Sequence, residues 1–145
     1  MARFLAFAAL AFGLSLAIGA APGRAQSLSA EDGTAIRGVI AGQIDAFRHD
    51  DGTTAFGFAA PEIQHMYGSP ELFLQAVRQA YQPVYRPRQV EFRDLKPMDG
   101  RIVQQVYVVG PDNQPKLALY FMERQADGSW RISGCVLLAF EGQSV

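Results

Sequence analysis

The chain has 145 residues with 13 Lys and Arg against 14 Asp and Glu, and this length fits one domain. Because binding to phosphate groups needs clustered Lys and Arg, the near balance without a basic run argues against nucleic acid as a partner. A single cysteine cannot pair within its own chain, so the fold has to rely on an apolar core rather than on disulfides.

The first 25 residues have the pattern of a secretory signal peptide. Arg3 gives a basic start, and residues 4–20 are uncharged and almost wholly apolar. Gly23 and Ala25 then place small residues at the positions that a signal peptidase recognises. We predict cleavage after Ala25, which removes two arginines and no acid and so changes the net charge from −1 to −3.

Cleavage predicts a periplasmic or secreted protein in which residues 26–145 form a single domain. An uncleaved membrane anchor is the alternative, since 17 apolar residues are at the lower limit for a spanning helix. No later stretch of the sequence is long and apolar enough to span a membrane. We therefore expect no stable membrane insertion once the signal peptide is removed.

Helical spacing dominates the first half of the mature chain. Ser29 and Asp32 form a helix-capping pattern, and apolar residues with offsets of three and four follow it. Pro61 ends one helical segment, and Pro70 opens another. The predicted helices run from Ala30 to His49, from Thr53 to Ala60 and from Ser69 to Tyr81, with a further turn over 62–67 as an option. The sequence therefore predicts two to three helices before the first strand.

After Pro83 the apolar period changes from 3.6 to 2, which predicts strands. Asp99-Gly100 and Asp127-Gly128 are signals for tight hairpins, because both residue types tolerate positive φ. The four alternating segments begin at Val90, Ile102, Leu117 and Trp130. This order predicts an α+β domain whose helices lie on one face of a curved, four-stranded antiparallel sheet.

Cys135 lies in the last predicted strand, and strict alternation places it on the face opposite to Trp130 and Ile132. A catalytic thiol needs a cation or a helix N-terminus that lowers its pKa, and usually a histidine partner. Both histidines, His49 and His65, lie in the helical half. We interpret Cys135 as a small buried thiol that packs like a hydrophobic residue; a nucleophile and an exposed regulatory thiol are the alternatives.

Most of the mature chain is similar to one protein family through three segments, VIAGQIDAFRHDDGTTAFGFAAPEI, VYRPRQVEF and GSWRISGCVLL. These segments resemble DUF4864, a family of bacterial exported domains. The order of elements also resembles the NTF2-like (cystatin-like cone) superfamily, in which a bent sheet wraps a long N-terminal helix and leaves a pocket at the open end. The resemblance implies a fold and a location. It transfers no catalytic residue, because the superfamily contains enzymes as well as binding and dimerisation domains.

Arginines and tyrosines cluster between Pro83 and Arg93. Arg86 and Arg88, next to Tyr85, suggest a clamp for a carboxylate or phosphate, since a guanidinium group donates two parallel hydrogen bonds. The alternative is that these arginines form surface ion pairs with nearby glutamates.

Asp45 and His65 are the weak candidates for a catalytic acid or base. Asp45 lies at the edge of the apolar stripe of the first helix, where burial without a cation would shift its pKa; a solvated aspartate is the alternative. His65 shares a helical face with Glu62, but two ligands do not make a metal site. We predict no metal and no cofactor, and the sequence has no glycine-rich phosphate loop.

We expect an NTF2-like domain that binds a small apolar or anionic ligand, or a partner protein, without catalysis. Its predicted ligand-binding residues, at the mouth of the cone, are Phe56, Tyr67, Tyr85, Arg86, Arg88, Tyr107 and Tyr120. One alternative is an enzyme of the isomerase, dehydratase or hydrolase type that uses a pocket acid or histidine with a tyrosine. Another is a dimerisation module that buries an apolar sheet face against a second copy of the chain.

Overall fold

The computed structural model describes residues 27–141, which form five helices followed by four strands. The elements are α1 (Ala30–Arg48), α2 (Gly52–Gly57), α3 (Pro61–Tyr67), α4 (Pro70–Ala80), α5 (Gln82–Tyr85), β1 (Gln89–Met98), β2 (Arg101–Val109), β3 (Pro115–Arg124) and β4 (Trp130–Ala139). The strands make one antiparallel sheet in the order β1-β2-β3-β4. The predicted α+β class is therefore confirmed. The predicted signal peptide and its cleavage site lie outside the described residues.

The described residues contain five helices where two to three were predicted. Helix α3 corresponds to the optional turn over 62–67, and α5 was not predicted; both are short, and each has a proline in its first turn, Pro61 and Pro83. A proline there lacks only a backbone N–H that a helix start leaves unpaired anyway, so the residue that stops one helix can open the next. Between residues 27 and 141, no helix combines the length and the apolar character that a membrane crossing requires.

Helix α1 lies against the sheet through one apolar stripe. Its buried residues recur every three or four positions, and Ile36, Ile40, Ile44 and Phe47 are almost completely enclosed. The buried side chains of the sheet that belong to the same core are Val106, Val108, Ala118, Tyr120, Met122, Trp130 and Ile132. Burial of this stripe is the main source of stability for the helix, because a helix in water gains little from its own propensity.

Asp32 links the start of α1 to the sheet. Its carboxylate accepts the Ser29 backbone N–H at 3.0 Å, while the Ser29 hydroxyl accepts the Asp32 N–H at 3.0 Å, which completes a capping box. The Asp32 Oδ1 atom also accepts from Arg124 Nη2 at 2.6 Å and from Trp130 Nε1 at 3.4 Å. The Ser29 backbone N–H, with help from these side chains, lowers the pKa of Asp32 to about 2. Its stabilising contribution is therefore present above pH 3.8 and is lost as the pH falls through about 2.

A β-bulge at Ser133 decides which residues of β4 face the helices. Phe121 pairs with Gly134, but the next residue of β3 pairs with Ile132, so Ser133 is left over. Its hydroxyl donates to the Phe121 carbonyl at 3.2 Å. The predicted strict alternation is wrong at this point, because the extra residue puts Cys135 on the same face as Trp130 and Ile132.

The edge of β4 is covered at Ile132 by the segment that joins α2 to α3. Ile132 donates its N–H to the Phe58 carbonyl at 2.9 Å, and its carbonyl accepts from Ala60 at 2.8 Å. These contacts satisfy backbone groups that an edge strand would otherwise expose. They also hold the start of α3 beside the sheet.

Gln104 is a fully buried polar residue beside a second bulge, between Phe92 and Leu95 of β1. Its Nε2 atom donates to the carbonyls of Arg93 and Gln105, each at 2.9 Å. The amide thereby supplies a partner for a backbone carbonyl on the irregular strand. The sequence contains no pattern that predicts this role.

Two glycines of α1 differ in what surrounds them. A Cβ atom on Gly42 would lie 2.8 Å from the Phe58 ring, whereas a Cβ atom on Gly38 would meet nothing within 4 Å. We expect Gly38→Ala to raise the free energy of unfolding by about 0.5–1 kcal/mol, since alanine favours the helix. Gly42→Ala has to displace Phe58, so we expect it to be less stable than Gly38→Ala by about 1 kcal/mol or more. Urea unfolding of both variants measures the difference; equal stabilities would contradict the close packing of α1 on Phe58.

Candidate functional site

A cavity of about 210 Å³ lies between the helices and the sheet. It is lined by Gln43, Phe47, Ala59, Ile63, Met66, Tyr67, Phe73, Val77, Tyr81, Val84, Tyr120, Ile132, Gly134 and Cys135. The Met66 side chain marks the mouth, because it lines the cavity and is also 71% exposed. An engineered apolar cavity of about 150 Å³ accommodates benzene, so this volume is sufficient for a small organic molecule.

Aromatic rings from different helices form one wall of the cavity. The Phe73 ring of α4 lies 6.0 Å from the Phe47 ring of α1 and 5.4 Å from the Tyr67 ring of α3. Ser69 fixes the start of α4, since its hydroxyl accepts the Leu72 N–H at 3.2 Å. Because the rings meet in tilted or edge-on arrangements, each holds the position of its neighbour.

The opposite wall is formed by the sheet, where Tyr120 and Cys135 are direct neighbours on β3 and β4. Tyr120 is only 1% exposed, yet no described residue is a hydrogen-bond partner of its hydroxyl group. Burial first, and the neighbouring Cys135 thiol second, raise the pKa of Tyr120. The thiol interacts with the Tyr120 hydroxyl, but this contact does not have the distance and angles of a normal hydrogen bond. A buried hydroxyl without a partner costs about 1–3 kcal/mol, and such groups usually have water or a ligand as partner.

The cavity keeps its ionisable groups neutral. Burial raises the pKa of the Cys135 thiol to about 12, and it raises the pKa values of Tyr81 and Tyr120 above the usual tyrosine range. Among the described residues that line the cavity, none is an Asp, Glu, His, Lys or Arg. The interior therefore disfavours anions and offers only neutral polar groups.

Two of the predicted ligand-binding residues, Tyr67 and Tyr120, line this cavity, and a third lies behind its wall. The Phe56 ring packs on Phe73 at 5.4 Å but is not part of the lining. Phe56 and Tyr67 come together because both rings pack on Phe73 of α4, whereas Tyr120 reaches the cavity from β3.

Tyr85 and Arg86 lie outside the cavity and bind Asp50 instead. The Tyr85 hydroxyl donates to the Asp50 carboxylate, which also accepts from Arg86 Nη2 at 2.7 Å and Arg78 Nη2 at 3.5 Å. Arg86 donates in addition to the Phe47 carbonyl near the end of α1. The hydrogen bond from Tyr85, together with Arg86, lowers the pKa of Asp50. These arginines thus join α1 to α4 and α5 rather than pointing at the cavity.

Arg88 and Tyr107 also lie away from the cavity. Arg88 Nη1 donates to the Asn113 side chain at 2.9 Å. Tyr107 lies on the outer face of the sheet, the side turned away from the helices, where its ring meets Phe140 edge-on at 5.0 Å. The outer face also carries Leu117, Leu119, Phe121, Val136 and Leu138.

Asp45 and His65, the weak catalytic candidates, are both exposed and do not line the cavity. The Asp45 side chain is 69% exposed and lies 3.7 Å from His49 Nδ1. Within residues 27–141, no group of three or more His, Cys, Asp or Glu is placed to hold a metal ion. Neither side chain is therefore within the cavity that the helices and the sheet enclose.

Sequence reasoning missed most of the apolar lining, including Phe47, Ile63, Val77 and Tyr81. The spacing of Phe73 and Val77 was a usable signal, because residues four positions apart lie on the same face of a helix. No comparable signal existed for Cys135, whose inward position depends on the bulge at Ser133.

The raised pKa of Cys135 predicts the response to alkali. The folded thiol keeps its proton up to about pH 12, whereas the unfolded thiol loses it near pH 9, so stability falls as the pH rises through this interval. We expect Cys135→Ala to make the decline shallower, although Tyr81 and Tyr120 maintain part of it. Urea unfolding at several pH values between 7 and 10.5 compares the two slopes. Iodoacetamide at pH 8 should modify the half-buried native thiol far more slowly than the unfolded thiol, because only the thiolate reacts; equally rapid alkylation would contradict the raised pKa of Cys135.

The described domain matches the model of a protein family. The model of the domain of unknown function DUF4864 matches residues 29–145, from the cap of α1 onward. No curated protein and no solved structure matches the chain. Because the family match covers well over half of the sequence, the chain belongs to the DUF4864 family.

Proposed function

We propose that the protein binds a small, mostly apolar molecule, without catalysis, in the cavity between the helices and the sheet. The observation that carries this proposal is Tyr120, which lines an apolar cavity and whose buried hydroxyl has no hydrogen bond of normal geometry to any described residue. Ligand sites typically combine an apolar wall with a few polar groups that orient the bound molecule. The aromatic wall around Phe73 and the hydroxyl on the sheet side supply these two components.

The lining favours binding over acid–base chemistry. A general acid or base has to lie within hydrogen-bond reach of the reacting group. The described lining residues are aromatic, aliphatic or neutral polar, while Asp45 and His65 lie in solvent. Of the apolar and anionic ligands expected from the sequence, the apolar one is favoured, because Arg86 and Arg88 have partners elsewhere.

The proposal includes export and an NTF2-like arrangement. The basic start and apolar run of the first 25 residues support export. The NTF2-like assignment is supported by the element order, with a long first helix against one face of an antiparallel sheet. In such a cone the cavity occupies the open end, which agrees with its mouth at Met66.

Export can be tested by the N-terminal sequence of the protein made in a bacterium with a periplasm. We expect the periplasmic fraction to contain a chain that begins at Gln26. Ala25→Tyr should block processing, since the residue before the cut has to be small, while the matched change Gln26→Tyr after the cut should be tolerated much better. An unprocessed wild-type chain in the membrane fraction would instead indicate an uncleaved anchor.

Ligand binding can be tested by native mass spectrometry of the protein purified from the organism that encodes it. We expect a small-molecule adduct at low collision energy that is lost at high energy. Val77→Phe fills the cavity and should abolish the adduct, whereas Val136→Phe, the same change on the outer face, should keep it. An adduct that survives in Val77→Phe would place the ligand elsewhere and contradict the proposal.

Dimerisation is a second candidate function, and the outer face of the sheet favours it. Val136 and Leu138 are each 43% exposed on this face, next to the other apolar side chains of β3 and β4. An exposed apolar sheet face is stabilised when another surface covers it. In the same mass spectra, a dimer without an adduct would support this candidate and count against the ligand.

A further inference from the structure

We infer that the molecule bound in the cavity is uncharged and carries an acceptor oxygen, such as a ketone or ester carbonyl, that accepts a hydrogen bond from the Tyr120 hydroxyl. This inference rests on the proposed function and names the chemical class of its ligand. It assigns to Tyr120 the role of orienting the ligand at the sheet side of the cavity.

The unpartnered hydroxyl is the first observation. Among the described residues, two buried side-chain atoms have no hydrogen-bond partner, Tyr120 Oη and Gln104 Oε1. Gln104 does not line the cavity and lies beside the bulge of β1, whereas Tyr120 is part of the lining. A phenol is a good donor, and a buried donor without an acceptor is unfavourable. A ligand with an acceptor oxygen would supply the hydrogen-bond acceptor that the Tyr120 hydroxyl lacks.

The lack of a cation in the described lining is the second observation. A carboxylate ligand would lose its hydration in the cavity without gaining a positive partner. The guanidinium groups of Arg78 and Arg86 contact Asp50 and Tyr85 outside the lining. The raised pKa values of Cys135 and Tyr81 report the same resistance to negative charge.

The aromatic wall also has to be compared with the cages that bind quaternary ammonium ions. Phe47, Phe73 and Tyr67 present rings of the kind that attract such cations. However, a quaternary ammonium group has no acceptor atom and would leave the Tyr120 hydroxyl donor unpaired. The described lining also lacks a carboxylate that would balance the charge. The neutral acceptor therefore fits the whole cavity better.

Four probes of one size separate these possibilities. Acetophenone carries the carbonyl, α-methylstyrene replaces the oxygen by CH₂, benzoate carries a charge of −1, and phenyltrimethylammonium carries a charge of +1. Each is a single ring with a short substituent, which suits a cavity of about 210 Å³. Dissociation constants are measured by NMR titration of the protein produced from the full-length gene.

We expect acetophenone to bind and benzoate and phenyltrimethylammonium to bind much more weakly. Tyr120→Phe should lower the ratio of acetophenone affinity to α-methylstyrene affinity by about fivefold, because the variant loses one neutral hydrogen bond to the carbonyl. Tyr107→Phe, which removes a hydroxyl on the outer face, should leave the ratio as in the wild type. Because the Tyr120 hydroxyl has no hydrogen bond of normal geometry within residues 27–141, the variant should fold, and circular dichroism will check this.

The outcomes distinguish the inference from the function on which it rests. If α-methylstyrene and acetophenone both bind and their affinity ratio is the same in Tyr120→Phe, the binding function stands and the acceptor assignment is overturned. Preferential binding of benzoate or phenyltrimethylammonium also overturns it. If no probe shifts resonances of the cavity residues, both proposals fail. The infrared stretch of bound, ¹³C-labelled acetophenone gives a check without any variant, since a hydrogen-bonded carbonyl absorbs at lower frequency.

Discussion

The structure depends on the burial of one apolar stripe of α1 against the sheet. Ile36, Ile40, Ile44 and Phe47 provide this stripe, and the core that they complete has to stabilise a domain without disulfides. Asp32 fixes the helix at one end by joining its cap to Arg124 of the sheet. Asp50, just beyond the other end, binds side chains of α4 and α5. The long helix is therefore held by apolar packing along its length and by one carboxylate near each end.

The cavity results from how the remaining elements close around this helix. Short helices that start at prolines carry aromatic residues to the end of α1, where the Phe73 ring contacts Phe47 and Tyr67. On the sheet side, the bulge at Ser133 turns Cys135 toward Tyr120. These two walls do not meet, and a space of about 210 Å³ remains between them. A natural core rarely leaves so large an apolar gap unfilled, which is consistent with a site for a ligand.

Charge is separated from the cavity within the described residues. Arg86 contacts Asp50 and Arg88 contacts Asn113. Asp45 of α1 faces solvent, and Asp32 binds Arg124 at the end of β3. The cavity keeps neutral donors whose pKa values are raised by burial. Such an interior is suited to hold a neutral molecule by shape, apolar contact and a hydrogen bond. The outer face of the sheet is a separate surface, and its exposed apolar side chains would be stabilised by contact with another surface.

The sequence by itself determined the α+β class, the cap of α1, the change from helices to strands and the family, because these follow from local spacing and from turn residues. It also predicted Tyr67 and Tyr120 as neighbours in one site, and both line the same cavity. Only the tertiary structure decided that Arg86, Arg88 and Tyr107 lie elsewhere, since their partners Asp50, Asn113 and Phe140 are distant in sequence. The inward position of Cys135 likewise required the bulge at Ser133, because one extra residue reverses the faces of a strand and no alternation pattern reveals it.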